Sequence, residues 1–381
     1  MTPQLILKHA AVLSLASLLP NTACTQSGPQ TYDSQRHRFR VVTLTSELEH
    51  PWGLAFLPDG RMLVTERPGR LRIVEQDGRL NPPLTGLPAI ATSGQGGLLD
   101  VALAPDFAQS RMIYFSFAEP GDGGAGTSVA RARLGESGGG LENVQVVFRQ
   151  EPKVSGGSHF GSRLVWARDG NLFITTGDRQ NRPLVQDLSK LQGKVIRIRP
   201  DGSIPRDNPF VNRAGARPEI WSYGHRNAQG AALHPETGQL WTVEHGARGG
   251  DELNAPKAGR NYGWPVITYG RDYSGASIGE GQRKEGMEQP VHYWDPSIAP
   301  SGLMFYTGDR FPNWKGNAFV GALGFRLLAR LELDGERVRA EERLLDDMGQ
   351  RIRAVVQGPD GLIYVLTDDN NGRIMRLEPI S

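Results

Sequence analysis

The chain has 381 residues, of which 38% are hydrophobic, with 48 glycines, 26 prolines and a formal net charge of +2. A near-neutral chain without a dense basic run has no general affinity for polyanions, so we expect no nucleic-acid partner. The single cysteine, Cys24, excludes a disulfide bond within the chain. Abundant glycine and proline without a collagen-like period indicates short strands joined by many turns.

The first segment in chain order has the composition of an export signal. Lys8 and His9 precede an apolar run over residues 10–19, which is too short to span a bilayer as a mature helix. We predict a signal peptide over residues 1–23 and a polar tether over residues 24–36. Small residues before Cys24 also resemble a bacterial lipoprotein cleavage site, so release and lipid attachment at Cys24 both stay open. The expected location is periplasmic or secreted, with an outer-membrane lipoprotein as the lipidated case.

From residue 37 onward one unit recurs six times, in which an apolar stretch ends in a turn and a second β-rich stretch follows. The units begin at Gly53, Asp100, Arg163, Gly230, Ser301 and Arg353. Their spacing of roughly 45–80 residues is a repeat signature. We predict an all-β, six-bladed β-propeller with four-stranded antiparallel blades over residues 37–381. A double β-sandwich is the alternative, but it does not explain six similar hairpins.

Three long connections between these strands are expected to line one face of the propeller, where functional residues are commonly carried. They are Gly121–Gly126, Gly246–Arg260 and Tyr269–Met287.

Two polar segments stand where inner strands are predicted to begin. His159 precedes one strand, and its imidazole suits a general base near neutral pH. Arg226 and Asn227 precede the next, and their donors suit an oxygen that becomes negative in a transition state. From the residues alone, turns braced by side-chain hydrogen bonds explain both segments at least as well.

Two further segments suggest cation and anion binding. Glu244–Glu252 combines glycines with acids, and calcium takes backbone carbonyl and carboxylate oxygens. Arg351 and Arg353 fall on one side of a predicted strand, which suits a ligand with several carboxylates. A flexible acidic loop and a solvated strand edge are the respective alternatives. The glycine-rich Ser93–Asp100 is not a dinucleotide fingerprint, because no helix and no βαβ unit follows.

Taken together, long ordered motifs resemble the glucose/sorbosone dehydrogenase family, the soluble PQQ-dependent sugar dehydrogenases, and within it the bacterial aldose sugar dehydrogenases. The most specific stretches are Gly224–Gly230, Gly259–Pro265 and Leu191–Ile198 running into Asp201–Pro209. The similarity extends from His50 to Asp368. It implies a six-bladed propeller with PQQ and calcium at the mouth of its central channel.

The resemblance also implies a role for individual residues. The catalytic pair is His159, as base, and Arg226. The cofactor-binding residues are Gln95, Asn227, Arg351 and Arg353, and Trp294 stands at the substrate mouth. Gly246 and Ala247 are expected to bind calcium through their backbone carbonyls, with the acid Asp251 behind the ion. One position departs from the glucose dehydrogenase branch, because Gly324 stands where that branch has a PQQ-binding lysine. Arg326 or a residue near it is expected to supply the missing charge.

The function implied is oxidation of the anomeric hydroxyl of aldose sugars to lactones, by base-assisted hydride transfer to the quinone. The expected partners are the sugar and an external electron acceptor that is not NAD, and the expected assembly is a monomer or homodimer. The lysine departure and the short loops favour broad aldose acceptance over strict glucose specificity. A calcium-dependent, lactonase-like hydrolase and a non-catalytic ligand-binding propeller stay open as alternatives, because propellers host many unrelated functions.

Overall fold

A computed structural model describes residues 29–136 and 139–380, so the predicted signal peptide and Cys24 lie outside the described residues. The described chain is almost entirely β-structure, with one single-turn α-helix, Phe107–Ser110, and two 3-10 turns, Arg182–Leu184 and Pro312–Trp314. In this part of the chain no helix is long and apolar enough to cross a membrane.

The strands form six antiparallel sheets, which are the blades of a propeller. Blade one contains β3 Pro51–Phe56, β4 Met62–Glu66 and β5 Arg70–Val74. Blade two contains β6 Leu98–Leu103, β7 Met112–Gly121, β8 Gly124–Leu134 and β9 Leu141–Arg149. Blade three contains β10 Gly161–Trp166, β11 Leu172–Thr176, β12 Lys194–Ile198 and β13 Ile220–Tyr223. Blade four contains β14 Ala228–Leu233, β15 Leu240–Glu244, β16 Asp251–Asn254 and β17 His292–Trp294. Blade five contains β18 Pro300–Phe305, β19 Ala318–Ala322, β20 Leu328–Asp334 and β21 Arg337–Leu344. Blade six contains β22 Ile352–Gln357, β23 Ile363–Thr367 and β24 Gly372–Pro379, together with β1 Gln30–Asp33 and β2 Arg38–Leu48.

Each of the six predicted hairpins forms the first two strands of a blade. In blade one, Gly60 has φ +83° and donates its N–H to Leu57 O at 2.9 Å, which closes the turn after Pro58 and Asp59. The first strands of successive blades contact one another around the ring, and β22 contacts β3. The predicted six-bladed, all-β propeller is therefore confirmed.

The ring is closed by pairing the two ends of the chain. The N-terminal strand β2 joins the outer edge of blade six, where Val41 lies opposite Leu377 of β24. Blade six consequently has five strands and blade one has three, whereas the other four blades have the predicted four. The extra strand β1 lies inside the segment predicted as a polar tether, so residues 24–36 are not a tether throughout.

The structure also corrects the prediction that Gly121–Gly126 is a long connection on one face of the propeller. β7 and β8 stay paired up to Gly121 and Gly124, so only Asp122 and Gly123 form the connection. A two-residue Asp-Gly turn is a strong hairpin signal, and here Gly123 takes the positive φ, at +86°. The segment is the tip of a long hairpin rather than an open loop.

The first strand of every blade has an irregularity near its start, where its register with the second strand shifts. Bulges of this kind bend a strand and redirect side chains. Glycine allows the first strands to approach closely there: a Cβ on Gly302 of blade five would lie 2.9 Å from the Cα of Ala354 in blade six. The narrow channel mouth is thus built from bulged, closely packed strand ends.

Apolar side chains fill the spaces between neighbouring blades. Trp241 and Val243 of blade four, for example, pack with Leu303 and Phe305 of blade five in one buried cluster. Such close packing fixes the blades relative to one another and gives the channel mouth a rigid base.

Candidate active site

The candidate residues share a place in the fold rather than in the sequence. In an antiparallel hairpin, the residues before the first strand lie beside those after the second. His159 precedes β10 and Asp178 follows β11, while Arg226 precedes β14 and Gly246 follows β15. Arg351 and Asp368 have the same relation in blade six. The hairpins therefore bring these side chains to one end of the central channel.

His159 forms a dyad with a carboxylate that the sequence reasoning did not identify. Its Nδ1 lies 2.7 Å from Oδ1 of Asp178, and both side chains are buried. The other carboxylate oxygen, Oδ2, accepts the indole N–H of Trp264 at 2.8 Å. Burial alone would raise the pKa of Asp178, but its bond with His159 and the nearby Arg226 lower that pKa overall. Asp178 is thus ionised and can only accept, so Nδ1 of His159 carries the proton.

The dyad leaves Nε2 of His159 as a basic nitrogen. Burial lowers the pKa of His159 below its ordinary value, the bond to Asp178 opposes that shift, and Arg226 adds to it. The imidazole is therefore neutral at physiological pH and able to accept a proton. A neutral imidazole whose Nδ1 proton is held by a carboxylate can act as a general base through Nε2.

Arg226 and Asn227 lie beside the dyad with donors to spare. Arg226 Nη1 donates to His245 O at 3.1 Å and to Gly246 O, and its guanidinium lies 5.3 Å from the centre of the Trp264 ring. Asn227 uses its Oδ1 to accept the N–H of Gly161 at 3.0 Å. Arg226 Nε and Asn227 Nδ2 are buried without a hydrogen-bond partner in the described protein.

His245 is a further buried histidine at this end of the channel, and it was not singled out from the sequence. Burial, together with the positive charges of Arg226 and Arg353, puts its pKa well below the ordinary value. Its Nε2 is buried and has no partner among the described residues. A neutral imidazole in this position can give or accept one hydrogen bond to a ligand.

The predicted calcium segment bends sharply after β15. The carbonyl oxygens of His245 and Gly246 converge on the Arg226 guanidinium, so this turn presents oxygens to a cation. Ala247 is buried beside them. Asp251 presents no free oxygen, because it accepts Gly246 N at 2.8 Å, Ala299 N at 2.9 Å and the Ser297 hydroxyl. Asp251 therefore braces the carbonyl turn from behind.

The arginine pair lies across the channel from the dyad. Arg353 Nη2 and Arg351 Nη2 both donate to Oδ2 of Asp368, at 2.6 and 3.2 Å, while His50 takes the other oxygen at 2.7 Å. Arg353 is buried and its Nε has no partner in the described chain, whereas the Arg351 side chain is 43% exposed. Two guanidinium groups share a single carboxylate, so this wall carries excess positive charge.

Below the mouth, the channel is closed by side chains that cross it. Arg163 of blade three donates to Asp100 of blade two at 2.9 Å and to the Gln229 carbonyl of blade four at 2.9 Å. Arg353 of blade six reaches the Gln229 side chain at 2.7 Å. Trp52 of blade one lies under both guanidinium groups, at 4.3 and 5.8 Å from its ring centre. The site is therefore a pocket with a floor and not an open pore.

Gln95 lies against the dyad segment. Its Oε1 accepts the N–H of His159 at 2.9 Å, and its own N–H donates to Gly157 O at 2.6 Å. The side-chain carbonyl is therefore used to hold the backbone of His159. Gln95 therefore lies next to the site and makes a bracing contact that the sequence did not suggest, while its role in cofactor binding stays a prediction.

Two predicted residues lie elsewhere. Trp294 is 4% exposed in the core between blades four and five, and its indole donates to Glu341 at 2.8 Å, so it does not line a substrate mouth. Its place in β17, opposite Asp251, directs the ring away from the face that carries Glu252. Arg326 lies exposed on the rim and donates to Gly349 O at 3.3 Å, so its contact is with the neighbouring loop.

These positions give the mouth an excess of donors. The unpartnered buried nitrogens of Arg226, Asn227, His245 and Arg353 are all at this end of the channel. Buried polar groups ordinarily have hydrogen-bond partners, and orphaned ones are uncommon. The arrangement fits a ligand that carries carboxylates and carbonyl oxygens. Within the described ranges, no three or more His, Cys, Asp or Glu side chains form a metal-binding group.

Comparison with known proteins decides the family. The model of the Glucose / Sorbosone dehydrogenase family matches residues 48–376. The chain belongs to this family. It is 51% identical to the aldose sugar dehydrogenase YliI of Escherichia coli over 343 residues, which cover 89% of this chain and 92% of the relative.

Solved structures of family members have the same fold. The soluble aldose sugar dehydrogenase of Escherichia coli, in its apo form, gives a TM-score of 0.88 at 50% identity and covers 90% of this chain and all of its own. The PQQ-bound aldose sugar dehydrogenase of Streptomyces coelicolor gives 0.75 at 31% identity, covering 89% of this chain and 98% of its own. The predicted family, and the assignment as a sugar dehydrogenase, are therefore confirmed.

Proposed function

We propose that this family member oxidises the anomeric hydroxyl of aldose sugars to lactones with PQQ as its cofactor. The observation that carries the proposal is the His159–Asp178 dyad at the same channel end as a set of buried, unpartnered cationic and amide nitrogens. A base without an anion pocket would suit many reactions, and an anion pocket without a base would suit binding alone. The PQQ-bound relative supports the choice of cofactor.

The donors at the mouth match what PQQ presents. Arg351 and Arg353 would hold carboxylates, since guanidinium binds carboxylate in a two-pronged geometry. Arg226 Nε and Asn227 Nδ2 would serve the quinone oxygens. When bound, PQQ would supply the acceptor for one hydride, which carries both electrons of the oxidation. Everything else in the reaction falls to the side chains of this protein.

The protein's own contribution begins with proton removal. Nε2 of His159 takes the proton from the anomeric hydroxyl while the C–H bond of the anomeric carbon breaks, its hydrogen leaves as hydride, and the oxygen forms its double bond to that carbon. The resulting imidazolium is stabilised by Asp178, which already accepts the Nδ1 proton at 2.7 Å. Asp178 does not need to take that proton itself, because its charge alone favours the protonated ring. Arg226 offers positive charge where negative charge collects on the acceptor side.

Calcium is a second cofactor in this proposal. Carbonyl oxygens of Gly246 and Ala247 would ligate it, and Asp251 would fix their turn through its bond to Gly246 N. A hard divalent cation prefers oxygen ligands and polarises a bound carbonyl without changing its own charge. Arg226 Nη1 must then leave Gly246 O, because a guanidinium and a calcium ion cannot share it.

The remaining parts of the proposal concern where the enzyme works. The signal peptide predicted over residues 1–23 supports a periplasmic or secreted protein, with lipid attachment at Cys24 or simple release after cleavage. An external electron acceptor is then needed to reoxidise the cofactor.

Two measurements test these parts of the proposal. Mass spectrometry of the protein from its native host would show whether Cys24 is acylated. Light scattering would show whether the protein is a monomer or a homodimer.

Titration of the apo-protein tests the cofactor directly. PQQ added with calcium should quench tryptophan fluorescence saturably with one equivalent per chain, since Trp264 lies beside Arg226 at the mouth and Trp52 lies in the floor below it. Chelation of calcium should weaken this binding. Absence of saturable PQQ binding, with or without calcium, would overturn the proposed function.

A further inference from the structure

Arg179 is a buried arginine next to the dyad that the proposed reaction leaves unused. It follows Asp178 in the chain and is 2% exposed. No carboxylate of the described protein forms an ion pair with it, which distinguishes it from the buried Arg163, Arg197 and Arg353. Burial lowers its pKa to about 10, and only Asp178 opposes that shift. Burial of a charge is costly, and buried charges are ordinarily paired with an opposite charge, so this arginine calls for a structural explanation.

Its side-chain donors all go to backbone carbonyls, and two of the three go to the segment that carries the base. Nη1 donates to Ser158 O, Nη2 to Gly156 O at 2.5 Å, and Nε to Ala125 O at 3.4 Å on the neighbouring hairpin. Its own backbone N–H donates to His159 O at 3.3 Å. The guanidinium also lies over the Phe160 ring, 3.6 Å from its centre. The Arg179 side chain thus holds the backbone just before His159 and covers the ring of Phe160 just after it.

The backbone held in this way is strained. His159 has φ +57°, and Arg179 and Gln180 have φ +53° and +58°. Residues other than glycine adopt this left-handed region only where the surroundings enforce it. Gln95 holds the segment from the opposite side, through the N–H of His159. The strain and both braces are therefore concentrated on the residue whose ring must be aimed.

We propose that Arg179 is a positioning residue for His159: its fork on the carbonyls of Gly156 and Ser158 fixes the left-handed turn that directs the imidazole to Asp178 and to the sugar. The inference rests on the proposed function, because it takes His159 as the base of that reaction. It adds a specific determinant of the base geometry outside the residues that touch sugar or cofactor. A displacement of about 1 Å in such a group costs on the order of 100-fold in rate.

Three variants test the proposal. Arg179→Met removes the fork and the charge, Arg179→Lys keeps the charge without the fork, and Arg197→Met is the matched control. Arg197 is buried in the same blade and lies over Trp221 at 5.1 Å, but it pairs with Asp169 and Asp207 away from the dyad. Thermal unfolding of all three reports the general loss of stability, against which the specific effects are judged.

With the PQQ- and calcium-loaded enzyme, Arg179→Met should lower kcat by about 30- to 100-fold with little change in the KM for sugar or in PQQ affinity. Asp178, Arg226, His245 and Arg179 are the charged or titratable groups around His159, and Arg179 is one of those that lower its pKa. The acid limb of kcat/KM should therefore move to higher pH in Arg179→Met and stay in place in Arg179→Lys, with kcat partly recovered in the latter. Arg197→Met should change neither. Equal effects of Arg179→Met and Arg197→Met would overturn the proposal.

Hydrogen–deuterium exchange provides a readout that needs no turnover. In the full-length apo-protein, amides of residues 156–161 should exchange faster in Arg179→Met than in wild type, and at the wild-type rate in Arg197→Met. Unchanged exchange there would contradict the positioning role even if the wild-type enzyme oxidises aldoses. Conversely, a wild-type enzyme that oxidises no aldose would disprove the proposed function. The exchange result would still show whether Arg179 holds the backbone around His159.

Discussion

The indole N–H of Trp264, in blade four, donates to Oδ2 of Asp178, in the neighbouring blade three, at 2.8 Å. Asp178 is therefore held by two partners, since its other oxygen lies 2.7 Å from Nδ1 of His159. A carboxylate fixed from both sides keeps the imidazole in one tautomer and one orientation. Trp264 belongs to the long excursion after β16, which explains why that excursion folds back over the site.

Asp178→Asn tests the carboxylate of the dyad. The change preserves shape but removes the charge that stabilises the imidazolium, so kcat with an aldose should fall by about 100-fold or more. PQQ affinity should stay within about twofold of wild type, because Asp178 makes no contact with the anion wall. Steady-state kinetics with an artificial acceptor and fluorescence titration measure the two. Asp187→Asn, an exposed acid of the same blade, is the control; a parallel loss of PQQ binding in Asp178→Asn would contradict the assigned role.

The pH dependence of kcat/KM should report His159. The base must be neutral to accept a proton, and it is neutral above its pKa, so activity falls as the pH drops through that pKa. Burial and Arg226 lower the pKa of His159, so the midpoint of the acid limb should lie below 6.5. The bond to Asp178 raises the pKa, so the limb of Asp178→Asn should lie lower still. A midpoint above 6.5 in the wild-type enzyme would contradict a buried, neutral base.

The two arginines of the anion wall should contribute unequally. Arg353 is buried, whereas the Arg351 side chain is 43% exposed and screened by water. Arg353→Met should weaken PQQ binding by about 10- to 100-fold, which corresponds to one charged, buried hydrogen bond, and Arg351→Met should weaken it less. Fluorescence titration gives both dissociation constants. Arg353→Lys keeps a positive charge opposite Asp368 and is the control for a general loss of folding. A larger effect on PQQ affinity at Arg351 than at Arg353 would refute this account.

Gly302→Ala tests the close approach of the first strands. Its Cβ would lie 2.9 Å from both the Cα of Ala354 and the N of Val355, and neither backbone can move without shifting a blade. We expect a loss of about 1–3 kcal/mol in the free energy of unfolding, measured by urea denaturation. Wild-type stability in this variant would show that the inner strands are less tightly packed than described.

The sequence predicted the six hairpins because their signals are local. A turn such as Pro58-Asp59-Gly60 and the strands beside it lie within a few residues of one another. Ring closure depends on the pairing of Val41 with Leu377, more than 300 residues apart, and no local pattern announces it. The same limitation hid β1 inside a segment whose polar composition resembled a tether.

The site was predicted in part for a related reason. His159, Arg226 and Asn227 lie in ordered motifs and were found, while Asp178 lies in a short Thr-Gly-Asp stretch without a motif of its own. The signal that would have found it is topological: a residue following the second strand of a blade lies beside the residue preceding the first. Trp294 was misplaced because sequence proximity to the site does not say to which face of β17 its ring points.

The measurement that tests the central claim most directly compares wild type with His159→Gln after loading with PQQ and calcium. Both proteins should bind PQQ with affinities that agree within about threefold, because His159 belongs to the dyad and not to the anion wall. Wild type should oxidise several aldoses in the presence of an artificial acceptor, and His159→Gln should lose at least about 100-fold in kcat. Loaded wild-type protein that oxidises no aldose, or a His159→Gln variant that turns over normally, would contradict the account.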